Sequence, residues 1–295
     1  MKSKYSFILI VVMRCLSVFS LVRLRSWAKI VGPWLLSKDR RTMSDIDKNL
    51  SLCLPHLTQQ QRDDLRQQRL SYMCQTFFEM SHIWIKSPEQ IKNYLVPQYD
   101  NTLFENQVSS EGGVIILAPH IGNWEMMNFY LAQFRPLTAM YQPIKDKKLD
   151  RFIRLAREKA GSVLVPTNTK GVIAMIRSLK KNGMVAFLPD QIPDKNSGAV
   201  FAPFFNHSAS TMTLAQKLAL KTNAKVFVGV AYQNAEGFSV RMVEIAENFY
   251  DEDAEISASC LNSMVEQAIM HQPSQNQWEY KRFKRQPHDE KSLYK

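Results

Sequence analysis

At 295 residues, 45% of them apolar, the chain is long enough to bury a sizeable core, and with no low-complexity tract or internal repeat it does not read as a disordered or fibrous protein. Cys15, Cys53, Cys74 and Cys260 are widely spaced with no C-x-x-C pair, which argues against a disulfide frame or a metal site and suits packing residues of a cytosol-facing protein. The net charge of +11 gathers in residues 1–41, where Asp39 is the single acid, and again at Lys281, Arg282, Lys284 and Arg285. No nucleic-acid fold signature accompanies it, so the excess points to an anionic membrane surface and an anionic lipid.

Residues 5–22 form an apolar run broken only by Arg14 and small polar residues, near the lower length limit for a spanning helix. A signal peptide competes, but no small-x-small cleavage site precedes Arg23–Lys29, and apolar residues resume at Ile30. Residues 1–36 are therefore expected to be an uncleaved anchor. It either spans the bilayer once or lies in the interface with its arginines snorkelling to phosphates. The bland alternative is an N-terminal helix packed on the domain. Residues 37–287 are expected to form one α/β domain, helical over 43–95, with a core over 112–287 and a tail over 288–295. Thr58 with Gln61 makes a capping box. Leu65, Tyr72, Phe77, Phe78, Ile83 and Trp84 give the helix that follows an apolar face, and His82 among them reads as packed. Pro88 starts a further short helix.

From residue 112, short apolar runs alternate with amphipathic stretches. The expected strands are 114–118, 137–141, 162–165, 184–188, 225–231 and 238–244. The expected helices are 123–133, 147–159, 170–181, 211–221 and 255–270. This alternation implies a largely parallel central sheet flanked by helices, with ligands gathered at the strand C-terminal ends. His120, Tyr141 and Asp190 each fall at or just past such an end, although the strand order cannot be read from the sequence.

The first of these ends lies in APHIGNWEMM, residues 118–127. Pro119 closes the strand, Gly122-Asn123 make a turn, and Asn123 is placed to cap the helix from Trp124. His120 and Glu125 are five positions apart, about 140° around one continuous helix. A loop folding back over the helix start brings them together, which suits a carboxylate orienting a neutral histidine that takes a proton. The competing reading is a loop histidine and an unrelated glutamate.

HIGNWE resembles the H-x4-D/E block of the glycerolipid acyltransferase superfamily. AlaProHis…GlyAsnTrpGlu is similar to its form in the bacterial lipid A late acyltransferases, the lauroyl and myristoyl transferases. Residues 49–65, 140–161, 183–205 and 276–287 resemble that family's other blocks, in the same order. The resemblance runs from about residue 10 to 287. It implies a membrane-bound enzyme at the cytoplasmic face of a bacterial inner membrane. That enzyme needs no cofactor and moves a fatty acyl chain from acyl carrier protein to a hydroxyl of a lipid A precursor.

The resemblance makes His120 the base and Glu125 its orienting partner. Backbone N–H groups of the Gly122, Asn123 and Trp124 turn are expected at the oxyanion. Asp190 and Gln191, in LPDQ, match a substrate-contacting block, with a self-capping turn as the alternative. Tyr141 and Gln142 stand in the second block. Lys145, Lys147, Lys148 and Arg151 then face either acceptor phosphates and the acidic carrier protein, or only solvent. Many relatives carry Tyr-Arg-Pro where this chain has Tyr141-Gln142-Pro143, and glutamine cannot pair with a phosphate as arginine does. An acceptor other than lipid A, a lysophospholipid or another glycolipid, therefore stays open. His207 and His271 read as structural or solvent-exposed.

Overall fold

The computed structural model describes residues 3–194, 198–287 and 291–294. The apolar run at the start is two helices, α1 (Ser3–Leu16) and α2 (Leu21–Leu36). They are separated where Ser20 turns extended and accepts the Arg23 N–H as N-cap. Among the described residues no helix is long and apolar enough to cross a membrane. The apolar run over 5–22, expected either to span the bilayer once or to lie in the interface, is thus interrupted by a serine cap. Leu21, Leu24, Arg25, Ala28 and Gly32 form the buried face of α2. Gly32 lets α2 approach a later helix closely, because a Cβ there would stand 2.5 Å from the Leu70 carbonyl oxygen.

Next come α3 (Arg40–Cys53), α4 (Gln59–Ile85), α5 (Pro88–Lys92) and α6 (Thr102–Ser109). The capping box of α4 forms with both bonds, the Gln61 backbone N–H to the Thr58 hydroxyl and the Thr58 backbone N–H to the Gln61 side-chain Oε1. At about 1.5 Å per residue α4 runs roughly 40 Å and packs against α1, α2 and α3.

The α/β core then alternates β1 (Val114–Leu117), α7 (Trp124–Ala132), β2 (Leu137–Tyr141), α8 (Lys147–Glu158), β3 (Ser162–Pro166), α9 (Thr169–Leu179) and β4 (Met184–Phe187). A hairpin, β5 (Ala199–Phe204) and β6 (His207–Met212), interrupts it before α10 (Leu214–Thr222), β7 (Lys225–Gln233), β8 (Phe238–Glu244) and α11 (Ala254–His271). The main sheet has the order β3-β2-β4-β1-β7-β8, parallel except for the edge strand β8. The expected elements thus appear, within a few residues at their ends. The hairpin was not expected, and it takes Thr211 and Met212 from the helix predicted to start at 211.

Val114, Ile115, Ile116 and Leu117 in β1 have no exposed surface, as a central parallel strand covered on both faces requires. Ile115 and Leu117 pack with Met175, Leu218 and Leu261 from α9, α10 and α11. Val114 and Ile116 face the opposite layer, with Phe104, Met126 and Ile83 from α6, α7 and α4. Each such side chain contributes about 1.5–3 kcal/mol by burial. Together they fix the two central strands whose ends carry the site.

Candidate active site

β1 and β4 are hydrogen-bonded neighbours, so the loops leaving their C-terminal ends run side by side. His120 leaves the first and Asp190 the second. The Asp190 carboxylate is held twice: Oδ2 accepts the His120 backbone N–H at 2.8 Å, and Oδ1 lies 2.9 Å from His120 Nδ1. Both side chains are about nine-tenths buried. Burial pushes the Asp190 carboxyl up, but the charge and hydrogen bonds of His120 outweigh it and hold it below the usual carboxylate range. An ionised carboxylate at Nδ1 fixes the proton on that nitrogen and leaves Nε2 with its lone pair. Gln191 stands 3.3 Å from Nε2 and also reaches Gln277, so LPDQ supplies one group to each side of the imidazole. The indole of Trp124 lies against the His120 ring, 4.9 Å between centroids.

Glu125 is not the carboxylate at His120 Nδ1. It lies in the first turn of α7, almost fully buried, and takes a two-pronged ion pair from Arg157 of α8 and a 3.2 Å bond from the Trp84 indole N–H. Burial works against the Arg157 charge, but Glu125 overrides this and strengthens it. The guanidinium also sits 5.4 Å from the ring of Tyr141 at the end of β2. Five residues of separation across a strand–turn–helix junction point the two side chains to different neighbours. The strand order decides which acid meets the histidine.

The turn itself corrects two expectations. The N–H groups of Gly122 and Asn123 donate to the carbonyls of Gln275 and Ala231, at 3.0 and 2.9 Å, so neither is available to an oxyanion. Trp124, the first residue of α7, has an N–H beyond reach of any intrahelical carbonyl. Asn123 does not cap α7 with its side chain; its amide donates instead to Glu79 of α4 at 2.9 Å. Gly122 has φ +61°, and a Cβ there would stand 2.2 Å from the Ala231 oxygen. The position admits only glycine.

The other predicted groups are spread more widely. Tyr141 is buried and donates to Asp150 at 2.8 Å; burial and that carboxylate push its hydroxyl up to about 12. Gln142 is exposed and bonded to the Thr167 hydroxyl. Lys145, Lys147, Lys148 and Arg151 are exposed at the start of α8. His82 is packed between the Tyr94 hydroxyl and the Phe19 carbonyl, and burial lowers its pKa to about 4. His207 bonds the Leu52 carbonyl, and His271 bonds Tyr99 at the surface. Among the described residues no group of three or more His, Cys, Asp or Glu is placed to hold a metal ion.

Sequence reasoning missed Arg157 and Glu79. Glu79 has no exposed surface and accepts from Arg25, Gln75, Asn123 and Gln233. The signal for it was present: one acid inside the apolar stretch TFFEMSHIWI. Arg157 carried no comparable mark among the charges of α8.

A family model described as bacterial lipid A biosynthesis acyltransferase matches residues 1–285. The chain belongs to this family. It is similar to a lipid A biosynthesis acyltransferase of Haemophilus influenzae, 26% identical over 84% of this chain and 77% of that one. It is likewise similar to a palmitoleoyltransferase of Escherichia coli, at 24% over 86% and 83%. A lauroyltransferase of Escherichia coli is 23% identical over 90% and 86%. The protein is thus an acyltransferase of the lipid A late type. The C-terminal signature of this acyltransferase, NQWEYKRFKRQP, has a structural meaning: Asn276 bridges Ile121, the Trp278 and Tyr280 carbonyls hold Asn49, and Glu279 pairs with Arg69. This segment and Gln275 clamp the turn after His120 from below.

Proposed function

We propose that this acyltransferase moves a fatty acyl chain from an acyl carrier protein thioester to a hydroxyl of a lipid A precursor, with His120 as general base. The observation that carries the proposal is the buried Asp190 on His120 Nδ1, which holds the proton there and leaves the Nε2 lone pair, met among the described residues only by the Gln191 amide at 3.3 Å, to accept a proton. Nε2 takes the hydroxyl proton as the oxygen attacks the thioester carbonyl. The carbon–sulfur bond then breaks, and the thiolate recovers the proton from the imidazolium, which Asp190 stabilises meanwhile. Glu125, expected as the orienting carboxylate, has a different part here: it holds Arg157 between itself and Tyr141 and so fixes the start of α7 against α8.

The membrane is met by α1 and α2 lying in the interface. Val18, Val22, Ile30 and Trp34 are 61–78% exposed and flanked by the exposed Arg23, Lys29 and Lys38, the pattern of an interfacial helix pair. The catalytic domain then faces the cytoplasm of a bacterial inner membrane. Ile30→Asp with Trp34→Asp is expected to cut sedimentation with vesicles of 30% anionic lipid severalfold at unchanged fold. Undiminished binding would remove these helices from the membrane surface.

A second reading keeps the chemistry and changes the acceptor to a lysophospholipid or another glycolipid. It is favoured by Gln142, which replaces the arginine of many relatives and is tied to Thr167. The deciding experiment supplies acyl carrier protein charged with C12, C14 or C16 chains and offers a tetra-acylated lipid A precursor against a lysophospholipid. Acylation of the lipid A precursor is expected; acylation of the other acceptor alone would install the second reading.

A further inference from the structure

Among the described residues three arginines are buried. Arg25 pairs with Glu79 and Arg69 with Glu279. Arg282, in the C-terminal signature, is only 5% exposed and makes no ion pair among the described residues. Its guanidinium donates to neutral groups: the Ser210 carbonyl, the Thr211 hydroxyl at 3.0 Å and Asn262 Oδ1 at 3.5 Å. Its Nε is buried without a hydrogen-bond partner among the described residues. A cation taken this far out of water is costly unless an opposite charge answers it. Burial lowers the Arg282 pKa, and the Asp190 carboxylate leads the groups that raise it again. Asp190 and Arg282 line one cavity of about 30 Å³, with Asn276 and Tyr280. It has room for roughly one or two water molecules.

We infer that Arg282 is a positioning residue of the transfer reaction: a buried counter-charge, coupled through solvent in this cavity, that keeps Asp190 a carboxylate against His120. This role rests on the base reading above and adds a third member behind the pair. In its working form the Asp190–His120 pair carries one negative charge, and with a further proton it is neutral. A fixed cation favours the charged form, and an arginine does not give up its own proton. The other ionisable groups around the cavity are engaged elsewhere. Burial pushes up the Cys53 thiol of α3 and the Tyr280 and Tyr294 hydroxyls. Glu266 of α11 accepts the Phe205 N–H, and burial raises its carboxyl. His207 of β6 bonds the Leu52 carbonyl, and Arg285 donates to the Pro193 carbonyl. On the far side of His120, Glu125 and Arg157 neutralise each other. Without Arg282 the pair would take up its proton at higher pH and idle in the neutral range.

The test is the pH dependence of kcat/KM in detergent micelles across about pH 5 to 9. The donor is acyl carrier protein carrying whichever of C12, C14 and C16 wild type transfers best, and the acceptor is the lipid A precursor. Arg282→Gln removes the charge and keeps an amide donor. Arg282→Lys keeps the charge, and Thr211→Val removes one anchor of the guanidinium without touching the charge. Arg282→Gln is expected to move the acid limb up by about one pH unit, a loss of roughly tenfold on that limb that most of the rate recovers from at alkaline pH. Arg282→Lys and Thr211→Val are expected to keep the limb within a few tenths of a unit of wild type, whatever their stability. A uniform loss in Arg282→Gln with the limb unmoved would make Arg282 a structural residue and overturn the inference. A second measurement needs neither a variant nor turnover: a ¹⁵N NMR titration of wild type in micelles. The Arg282 Nε–H signal is expected to titrate with the His120 ring nitrogens at a common midpoint. An Arg282 signal that stays still while His120 titrates would overturn the coupling. A common midpoint without transfer to the lipid A precursor would support Arg282 and overturn the transfer reading instead.

Discussion

His120→Ala is expected to lower acyl transfer by about 10²–10⁴-fold, since a general base of this kind contributes that much, and to lower stability as well, because the buried Asp190 carboxylate loses its side-chain partner. Asp190→Asn is the sharper variant. It keeps size and burial but removes the charge that holds the proton on Nδ1, and an amide can hydrogen-bond either tautomer. Where a buried carboxylate fixes the tautomer of a catalytic histidine, that change costs up to about 10⁴-fold. The loss should lie in kcat with KM little moved, because the interaction matters only as the imidazolium forms. Glu125→Gln should behave differently. It removes the partner of Arg157 and not that of His120, so the defect expected is smaller and accompanied by lower stability. Steady-state kinetics of the three variants in detergent micelles decide the matter. Full activity in His120→Ala would end the base assignment. A silent Glu125→Gln beside a fully active Asp190→Asn would return the orienting role to the acid five positions from His120.

That comparison shows where the sequence is legible. The strand–turn–helix around His120 follows from local chemistry: a β-rich run, a proline, a glycine and a helix former. All of these sit where the residues predict. The partner of the histidine does not follow, because it depends on β4 lying beside β1 across 70 residues, and no local pattern encodes strand order. The β5–β6 hairpin hid for a related reason. Its two-residue turn is Phe205-Asn206, both at positive φ, with no glycine to announce it. A phenylalanine in that conformation is held by its surroundings: its N–H donates to Glu266, and its ring packs on Phe204. The break between α1 and α2 rests on the single cap Ser20 within an otherwise apolar run. Hydropathy alone reads through it.

Glu79→Ala is expected to destabilise the protein by about 3–5 kcal/mol, the cost of removing one member of a buried ion pair. Arg25 would keep its bonds to the carbonyls of Asn234 and Gly237 but lose its only carboxylate partner among the described residues, while Gln75, Asn123 and Gln233 would lose an acceptor. The functional consequence follows from what Glu79 joins. Through Arg25 it holds α2, whose outer face is the proposed membrane surface; through Asn123 it holds the turn that begins α7, three residues after His120. A double variant, Arg25→Met with Glu79→Met, separates the two roles. It buries no unpaired charge, so it should recover part of the lost stability, although the Gln75, Asn123 and Gln233 amides still lack that acceptor. It should not recover transfer, because Asn123 still has no anchor and the turn beside His120 is free to shift. Urea midpoints and kcat/KM for both variants, taken well below their melting temperatures, read the two effects apart. If the double variant regains stability and activity together, Glu79 serves the fold alone. If it regains only stability, the buried carboxylate is a positioning residue that ties the turn after His120 to α2.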